Sequence, residues 1–349
     1  MMKMQMIPWG VTRDGEQAQK YILTNGAGME VTLSDFSASI IDIRLPVNGA
    51  MRSVVLGYDT MDAYYQLGPE FAGFVGRNGN RISNGQVILD GVTYQLEQNN
   101  NGHNLHSGSK RSYFEFYHAV TGEDKEGIWV EFSRVSPHLE QGFPGNLDQK
   151  IRYTLTETND LFIDYRMVSD QTTIINPTCH TYFNLMGHNS GDILSHKLTI
   201  HSNAFLPTDD TLIPTGEERS VEGTPFDFRQ MHTIGERIGE AYEPLLQAGG
   251  YDHNYCFAND GVMKELAKLE SPDGSVCMTV SADTCGMQVY TGNFLAVKKG
   301  KEGASYALQY AVCLETQSYP NACNTPGFAT TVYNAGQVYK SRTCYGFAF

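Results

Sequence analysis

Val87-Ile88-Leu89-Asp90-Gly91-Val92-Thr93-Tyr94-Gln95-Leu96 decides the fold class. Apolar residues recur at every second position on both sides of Asp90-Gly91. That dipeptide tolerates the two positive φ angles of a type I′ turn, so the stretch reads as a β-hairpin. The same period of two returns in Ile151, Tyr153, Leu155 and then Leu161, Ile163, Tyr165, Met167, with a turn at Asn159-Asp160. Further strands are expected at Ile128 to Phe132, Leu198 to Ile200, Val276 to Val280, Met287 to Thr291 and Tyr306 to Thr316. Each is short and bounded by Gly, Asn, Asp or Pro, as in antiparallel sandwiches. Helical periodicity is confined to Tyr58–Leu67 and to Ile234, Ile238, Ala241 and Leu245 ahead of Gly249-Gly250. No linker, repeat or low-complexity tract breaks the pattern. The expectation is an all-β protein, a large antiparallel β-sandwich with a few short helices, forming one domain over residues 1–349.

Composition narrows the function. The 349 residues include 41% apolar and 18% charged side chains, enough apolar surface for a sizeable core and too little charge for disorder. Lys plus Arg number 25 against 39 Asp plus Glu, a net charge of −14. Such a surface repels phosphate backbones and anionic lipid, which argues against nucleic acid and membrane partners. The cysteines are odd in number, seven, and no Cys-x-x-Cys pair occurs. With no signal-length apolar segment at Met1–Pro8 and no bilayer-length run elsewhere, the reading is a soluble cytoplasmic protein with reduced thiols.

Four polar clusters interrupt the apolar alternation. Gly76–Ile82 carries Arg77, Asn80 and Arg81 and is followed by Asn99–His106 with His103 and His106. A guanidinium is a rigid fork of donors suited to vicinal oxygens, while for Arg77 a loop-bracing ion pair is the better reading. The spacing of His103 and His106 hints at a metal, yet the loop offers no third ligand, and none is expected. In Asn176–Asn184, a strand would put His180 and Tyr182 on one face and Cys179 and Phe183 on the other, so Cys179 and His180 are no nucleophile–base dyad. Asp252 in Gly249–Tyr255 enters a strand among aromatics, where a carboxylate needs a partner, a ligand or a capping role. Glu315 interrupts the apolar run Tyr310–Leu314, and burial there would raise its pKa toward that of a working general base; a structural salt bridge is the alternative. Together, Asn, Gln, Arg and Asp for hydroxyls and aromatics for ring faces suggest a sugar cleft with a His and a Glu as a possible acid and base.

These motifs resemble the aldose 1-epimerase (galactose mutarotase) family: Gly76-Arg-x-x-Asn-Arg-Ile82, Asn104-Leu-His-Ser-Gly108, Gly142-Phe-Pro-Gly-Asn-Leu147, His180-Thr-Tyr-Phe-Asn-Leu185, Gly250-Tyr-Asp-His253, Gln288-Val-Tyr-Thr-Gly-Asn293 and Leu314-Glu-Thr-Gln317. All seven follow the family's order and span most of the chain. The resemblance implies a β-sandwich with its active site in a cleft and ring opening and reclosure of free aldohexoses such as galactose or glucose. It also implies Glu315 as general base, His180 as general acid and His106 as a second active-site histidine. Asn80, Arg81, Tyr182, Asp252 and Gln288 fall on positions that look like substrate contacts. No cofactor or metal is implied, the partner is a small sugar, and the state is monomer or homodimer. The chain departs from the family at Thr181, where Pro is frequent, at 319–326, and at His103, which has no counterpart role. A non-catalytic sugar-binding protein or a sugar-phosphate epimerase on the same fold are the competing readings; a two-carboxylate glycosidase using Asp252 and Glu315 is more distant.

Overall fold

In the computed structural model, which describes residues 2–11, 15–67, 71, 73–109 and 114–349, the alternating segments form antiparallel strands. Asp90 and Gly91 take φ of 50° and 77°, and Leu89 pairs with Val92 as a two-residue I′ hairpin requires. Leu147–Leu155 and Asp160–Ser169 pair along their whole lengths and sit inside a nine-stranded sheet. Its order is His118–Glu123, Ile128–Ser136, Leu147–Leu155, Asp160–Ser169, Val338–Ala348, Cys277–Ala282, Lys264–Glu270, Lys197–Ile200 and His232–Thr233. A five-stranded sheet is built from Lys3–Val11 through Ala50–Ser53 in sequence order. A second five-stranded sheet runs Arg219–Ser220, Ala204–Phe205, Asp252–Cys256, Gly286–Tyr290 and Cys313–Gln317.

One apolar core joins these layers. It takes Val31, Leu33 and Ile43 from the N-terminal sheet, Ile151, Tyr153 and Ile163 from the large sheet, and Met287, Val289 and Leu314 from the third. Fully burying one such aliphatic side chain stabilises the fold by about 1.5–3 kcal/mol, so the period-two pattern is what specifies register. None of the seven cysteines forms a disulfide. Among the described residues, no helix is long and apolar enough to cross a membrane.

Two segments differ from the sequence expectation. The strand expected over Tyr306–Thr316 is confined to Cys313–Gln317. Ahead of it, Tyr306 makes an isolated bridge to Val297 and Gln309 turns into the left-handed region at φ 58°, which ends the extended run. The helical pattern from Ile234 to Leu245 splits into a 3₁₀ turn at Ile234–Glu236 and a short α-helix, Glu243–Ala248. Pro244 suits a helix start and not a helix interior, so it resets the element there, and Gly249 closes it at φ 68°. The first helix covers Met61–Leu67.

Arg77 braces loops, though not through an ion pair. Its guanidinium donates to the carbonyls of Ser136, Pro137, Phe143, Pro144 and Gly145, and its Nε donates to Ser136 Oγ. The Nε–H serves the Ser136 hydroxyl, and the four terminal N–H groups, one of them shared, serve five main-chain acceptors of the 136–145 loop that would otherwise be left unpaired. Replacing Arg77 with Met is expected to lower unfolding stability by about 3–5 kcal/mol in denaturant titration, because these acceptors lose their donors.

Candidate active site

Strand register assembles the site. In the third sheet, Asp252 lies opposite Tyr290 and Tyr290 opposite Cys313, while Asn254 faces Gln288 and Gln288 faces Glu315. Directly paired antiparallel residues share a face, so these two rows point the same way. His253, Val289 and Leu314, one position along, turn to the other face. There His253 is a neutral core histidine: burial pushes its pKa down to about 3, and its ring packs on Phe226 at 4.7 Å.

A cavity of about 430 Å³ opens over the polar face. The eight residues that the family resemblance implied for the site all line it: Asn80, Arg81, His106, His180, Tyr182, Asp252, Gln288 and Glu315. The short strand Thr178–His180 ends at the cavity wall, and beyond it the Tyr182 ring stacks on His180 with centroids 4.8 Å apart and 16° between planes. Cys179 points into the core, as the alternation requires. His180 Nε2 lies 3.6 Å from Glu315 Oε1, and the His106 and His180 rings are 5.3 Å apart. Gln288 donates to Asp252 Oδ1 at 2.7 Å, and Arg81 Nε donates to Asn100 Oδ1 at 3.1 Å.

His106 is held by main chain on both sides. Its own N–H donates to Asn80 O at 3.0 Å, and its Nδ1 accepts from Asn80 N–H at 3.1 Å. With Nδ1 accepting, the neutral ring carries its proton on Nε2. Asn80, His106 and Ser107 all take positive φ, at 56°, 51° and 69°. Non-glycine residues in that region cluster at ligand-binding sites, where surrounding bonds hold the strain.

Glu315 is only 2% exposed. Burial pushes its carboxyl well above the ordinary range, the neighbouring Asp252 pushes it further, and Arg81 draws it back. Burial likewise raises Asp252, against the pull of Arg81 and the Gln288 hydrogen bond. Glu315 Oε2 and Gln288 Oε1 are buried without a hydrogen-bond partner. Buried polar atoms are nearly always satisfied, so these two acceptors beside the cavity are open to a hydrogen-bond donor.

The remaining sequence candidates fall beside the cavity. His103 Nδ1 accepts from Asn84 N–H at 2.9 Å, so its Nε2 donates to Thr211 Oγ1 at 2.9 Å, and Thr211 in turn donates to Asp209 Oδ1 at 2.6 Å. This chain of bonds ties the 99–106 loop to the 209–213 loop, which brings Leu212 to the cavity wall at φ 65°. The variant segment 319–326 also supports the site, because Asn321 N–H donates to Arg81 O and Asn321 Oδ1 accepts from Ser83 N–H. Leu212 and Phe294 are the wall residues that sequence reasoning passed over. Phe294, 68% exposed at the mouth, is an aromatic on a surface loop beside the Gln288–Asn293 motif, and that position was its only signal. A larger groove of about 770 Å³ crosses the N-terminal sheet, but its four cations, Lys3, Lys20, Arg44 and Lys301, share it with Glu30, Asp42, Asp59 and Glu302, and among the described residues no histidine lines it.

The aldose 1-epimerase family profile matches residues 19–346, and this chain belongs to that family. It is 40% identical to the galactose mutarotase of Bos taurus over 309 residues, covering 86% of this chain and 85% of the relative. Against the aldose 1-epimerase of Escherichia coli K12 the identity is 32%, over 96% of both chains. Among solved structures, an aldose epimerase homologue from C. elegans superposes with a TM-score of 0.84 at 26% identity, covering 99% of both chains. The galactose 1-epimerase from Lactobacillus acidophilus NCFM reaches 0.87 at 23% identity, covering 100% of this chain and 99% of that one, and shares the fold. The protein is an isomerase of the mutarotase class.

The charge arrangement has a measurable sign. Replacing Asp252 with Asn removes the anion that raises Glu315, so the Glu315 carboxyl is expected to titrate at lower pH than in the native protein. Arg81→Met removes the opposing cation and is expected to move it higher. Carbon-13 NMR of labelled glutamate carboxyls reads both shifts.

Proposed function

We propose that this enzyme interconverts the α and β anomers of free aldohexoses of the galactose and glucose type, with Glu315 as general base and His180 as general acid. The observation that carries the assignment is their 3.6 Å approach on a cavity wall that also carries Asn80, Arg81, Asp252 and Gln288, groups able to read hydroxyls. The anomeric hydroxyl and the ring oxygen are bonded to one carbon, so two side chains this close reach both.

Ionised Glu315 takes the proton of the anomeric hydroxyl. The O–H electron pair becomes the second bond of the C1 carbonyl, the C1–ring-oxygen bond breaks, and protonated His180 delivers its proton to the departing ring oxygen. Rotation about C1–C2 presents the opposite carbonyl face. On reclosure neutral His180 takes that proton back as the hydroxyl attacks C1, and Glu315 returns its own to the carbonyl oxygen. His106, with its proton on Nε2, donates to sugar oxygens. Arg81, Asn80, Asp252 and Gln288 read the remaining hydroxyls, and the Tyr182 ring supports the sugar and the imidazole beside it. Burial serves the chemistry, because positioned acid–base catalysis is most effective when the pKa approaches working pH.

A sugar phosphate suits this cavity poorly. Arg81 is the one Lys or Arg among the described residues lining it, and it already faces two carboxylates. We read the chain as one unit, since its main core draws on all the large sheets, acting in the cytoplasm as a monomer or homodimer.

Polarimetry of freshly dissolved α-galactose and α-glucose tests the assignment. The native protein is expected to speed relaxation to the same final rotation, and Glu315→Gln and His180→Asn each to lose about 10²–10⁴-fold in kcat. Full activity in either variant removes that residue from its role. Because the base must be ionised, the rate rises with pH through the raised Glu315 pKa, and Asp252→Asn is expected to move this acid limb to lower pH. Thr211→Val, which cuts the His103–Thr211–Asp209 chain, is expected to raise KM by about two- to tenfold while kcat holds, the cost of one hydrogen bond positioning the Leu212 wall.

A further inference from the structure

Cys313 shares the cavity face with Glu315, two residues along the same strand, and the catalytic scheme leaves it unused. Its sulfur, a His180 ring nitrogen and a Glu315 carboxylate oxygen all lie within 4.8 Å of one another, and all three residues are buried. This is the one such group of three His, Cys, Asp or Glu side chains among the described residues. We propose that His180, Cys313 and Glu315 form a three-ligand site for a thiophilic divalent cation of the zinc type, and that this cation inhibits the enzyme by occupying it.

The donor set is selective. Thiolate with imidazole and carboxylate suits a borderline-soft ion such as Zn²⁺, whereas Mg²⁺ and Ca²⁺ prefer all-oxygen shells. Bonds of about 2.0–2.3 Å in tetrahedral array put ligand atoms about 3.3–3.6 Å apart. His180 and Glu315 already stand at 3.6 Å, and modest side-chain rotation closes the sulfur onto them. Glu315 Oε2, 98% buried with its residue, has no hydrogen-bond partner and is available to a metal. The local charge also favours a cation, since Asp252 and Glu315 face a single guanidinium, Arg81. Three protein ligands leave the fourth position for water.

Coordination takes Cys313 as thiolate and His180 as neutral imidazole, so the thiol proton and the imidazolium proton leave to solvent and apparent affinity rises with pH. Cys313 is itself shut off from solvent, and the ion therefore enters through the sugar cavity and competes with sugar. Inhibition rests on the roles proposed above for Glu315 and His180; metal binding does not.

The test uses the whole protein, freed of metal with a chelator that is then removed. Co²⁺ is expected to give a near-ultraviolet thiolate charge-transfer band and the strong visible bands of four-coordination, both abolished by added Zn²⁺. Zn²⁺ is expected to slow mutarotation reversibly, with a chelator restoring the rate and saturating galactose weakening the inhibition. Cys313→Ser and Cys313→Ala are each expected to keep the basal rate, lose the near-ultraviolet band and need at least about tenfold more Zn²⁺ for the same inhibition. Absence of a thiolate band in the native protein overturns the proposal, as does undiminished Zn²⁺ inhibition in a Cys313 variant with a native basal rate. Inhibition abolished instead by His201→Ala or His232→Ala would place the metal on the exposed His201–Glu265 or His232–Glu236 pair, which also overturns it. The cobalt spectrum is independent of turnover, so a failed metal site and a failed mutarotase assignment are told apart.

Discussion

A carboxyl group held at 2% exposure in the middle of a strand is the constraint around which this molecule is arranged. Removing the Glu315 charge from water is costly, and a fold selected only for stability would place an aliphatic residue there. Here the surroundings reduce the cost without cancelling it. Arg81 supplies an opposing field, Asp252 partly undoes it, and His180 stands within reach without a full ion-pair contact. The outcome is a carboxyl whose proton is held more tightly than water would hold it and released within reach of an imidazole. A tight Arg–Glu pair would have stabilised the anion and weakened it as a base.

Holding such a group requires rigid surroundings, and much of the rigidity comes from side chains that bond to main chain. Arg77 gathers the carbonyls of the 136–145 loop, Asn80 fixes His106 through its backbone, and Asn321 carries Arg81 from the 319–326 segment. His103 belongs to the same scheme, joining the loops on two sides of the cavity through Thr211. Loops this near a ligand cannot use sheet ladders for their polar groups, so polar side chains satisfy them instead. The chain's wealth of Asn and Gln in these segments has this cause.

The same face that carries Glu315 carries a thiol. Cys313 shares its row with Asp252 and Tyr290, one row from Glu315, and its sulfur lies near enough to Glu315 and to His180, from another strand, for the proposed metal site. Cys179, one position from His180, has no such prospect: it points into the core, where burial pushes its pKa up to about 12. Alternation along a strand separates two cysteines, each close in sequence to a proposed catalytic group, into one inert and one facing the chemistry.

Sequence alone determined the all-β class and most of the strands between Val87 and Thr316, because period-two alternation and the Asp90-Gly91 turn act over a few residues; the N-terminal sheet over residues 3–53 and the central strand Val338–Ala348 were not marked out by it. It also made Asp252 and Glu315 stand out, since a carboxylate inside an apolar run conflicts with its own local environment; the eight site positions implied by the family resemblance, these two among them, line one cavity. What it left open were properties set by partners far along the chain. Arg77 could not be seen to bond carbonyls in place of a carboxylate, nor His103 to serve Thr211, more than 100 residues away. Leu212 carried no signal and Phe294 only its place beside the Gln288–Asn293 motif, both being ordinary apolar residues until a loop brings them to the wall. The helical pattern from Ile234 to Leu245 divides in two because Pro244 and the backbone around it outweigh the apolar spacing. Only tertiary structure brings Asp252, His180 and Glu315 together, and the field each feels there depends on distances that chain order does not contain.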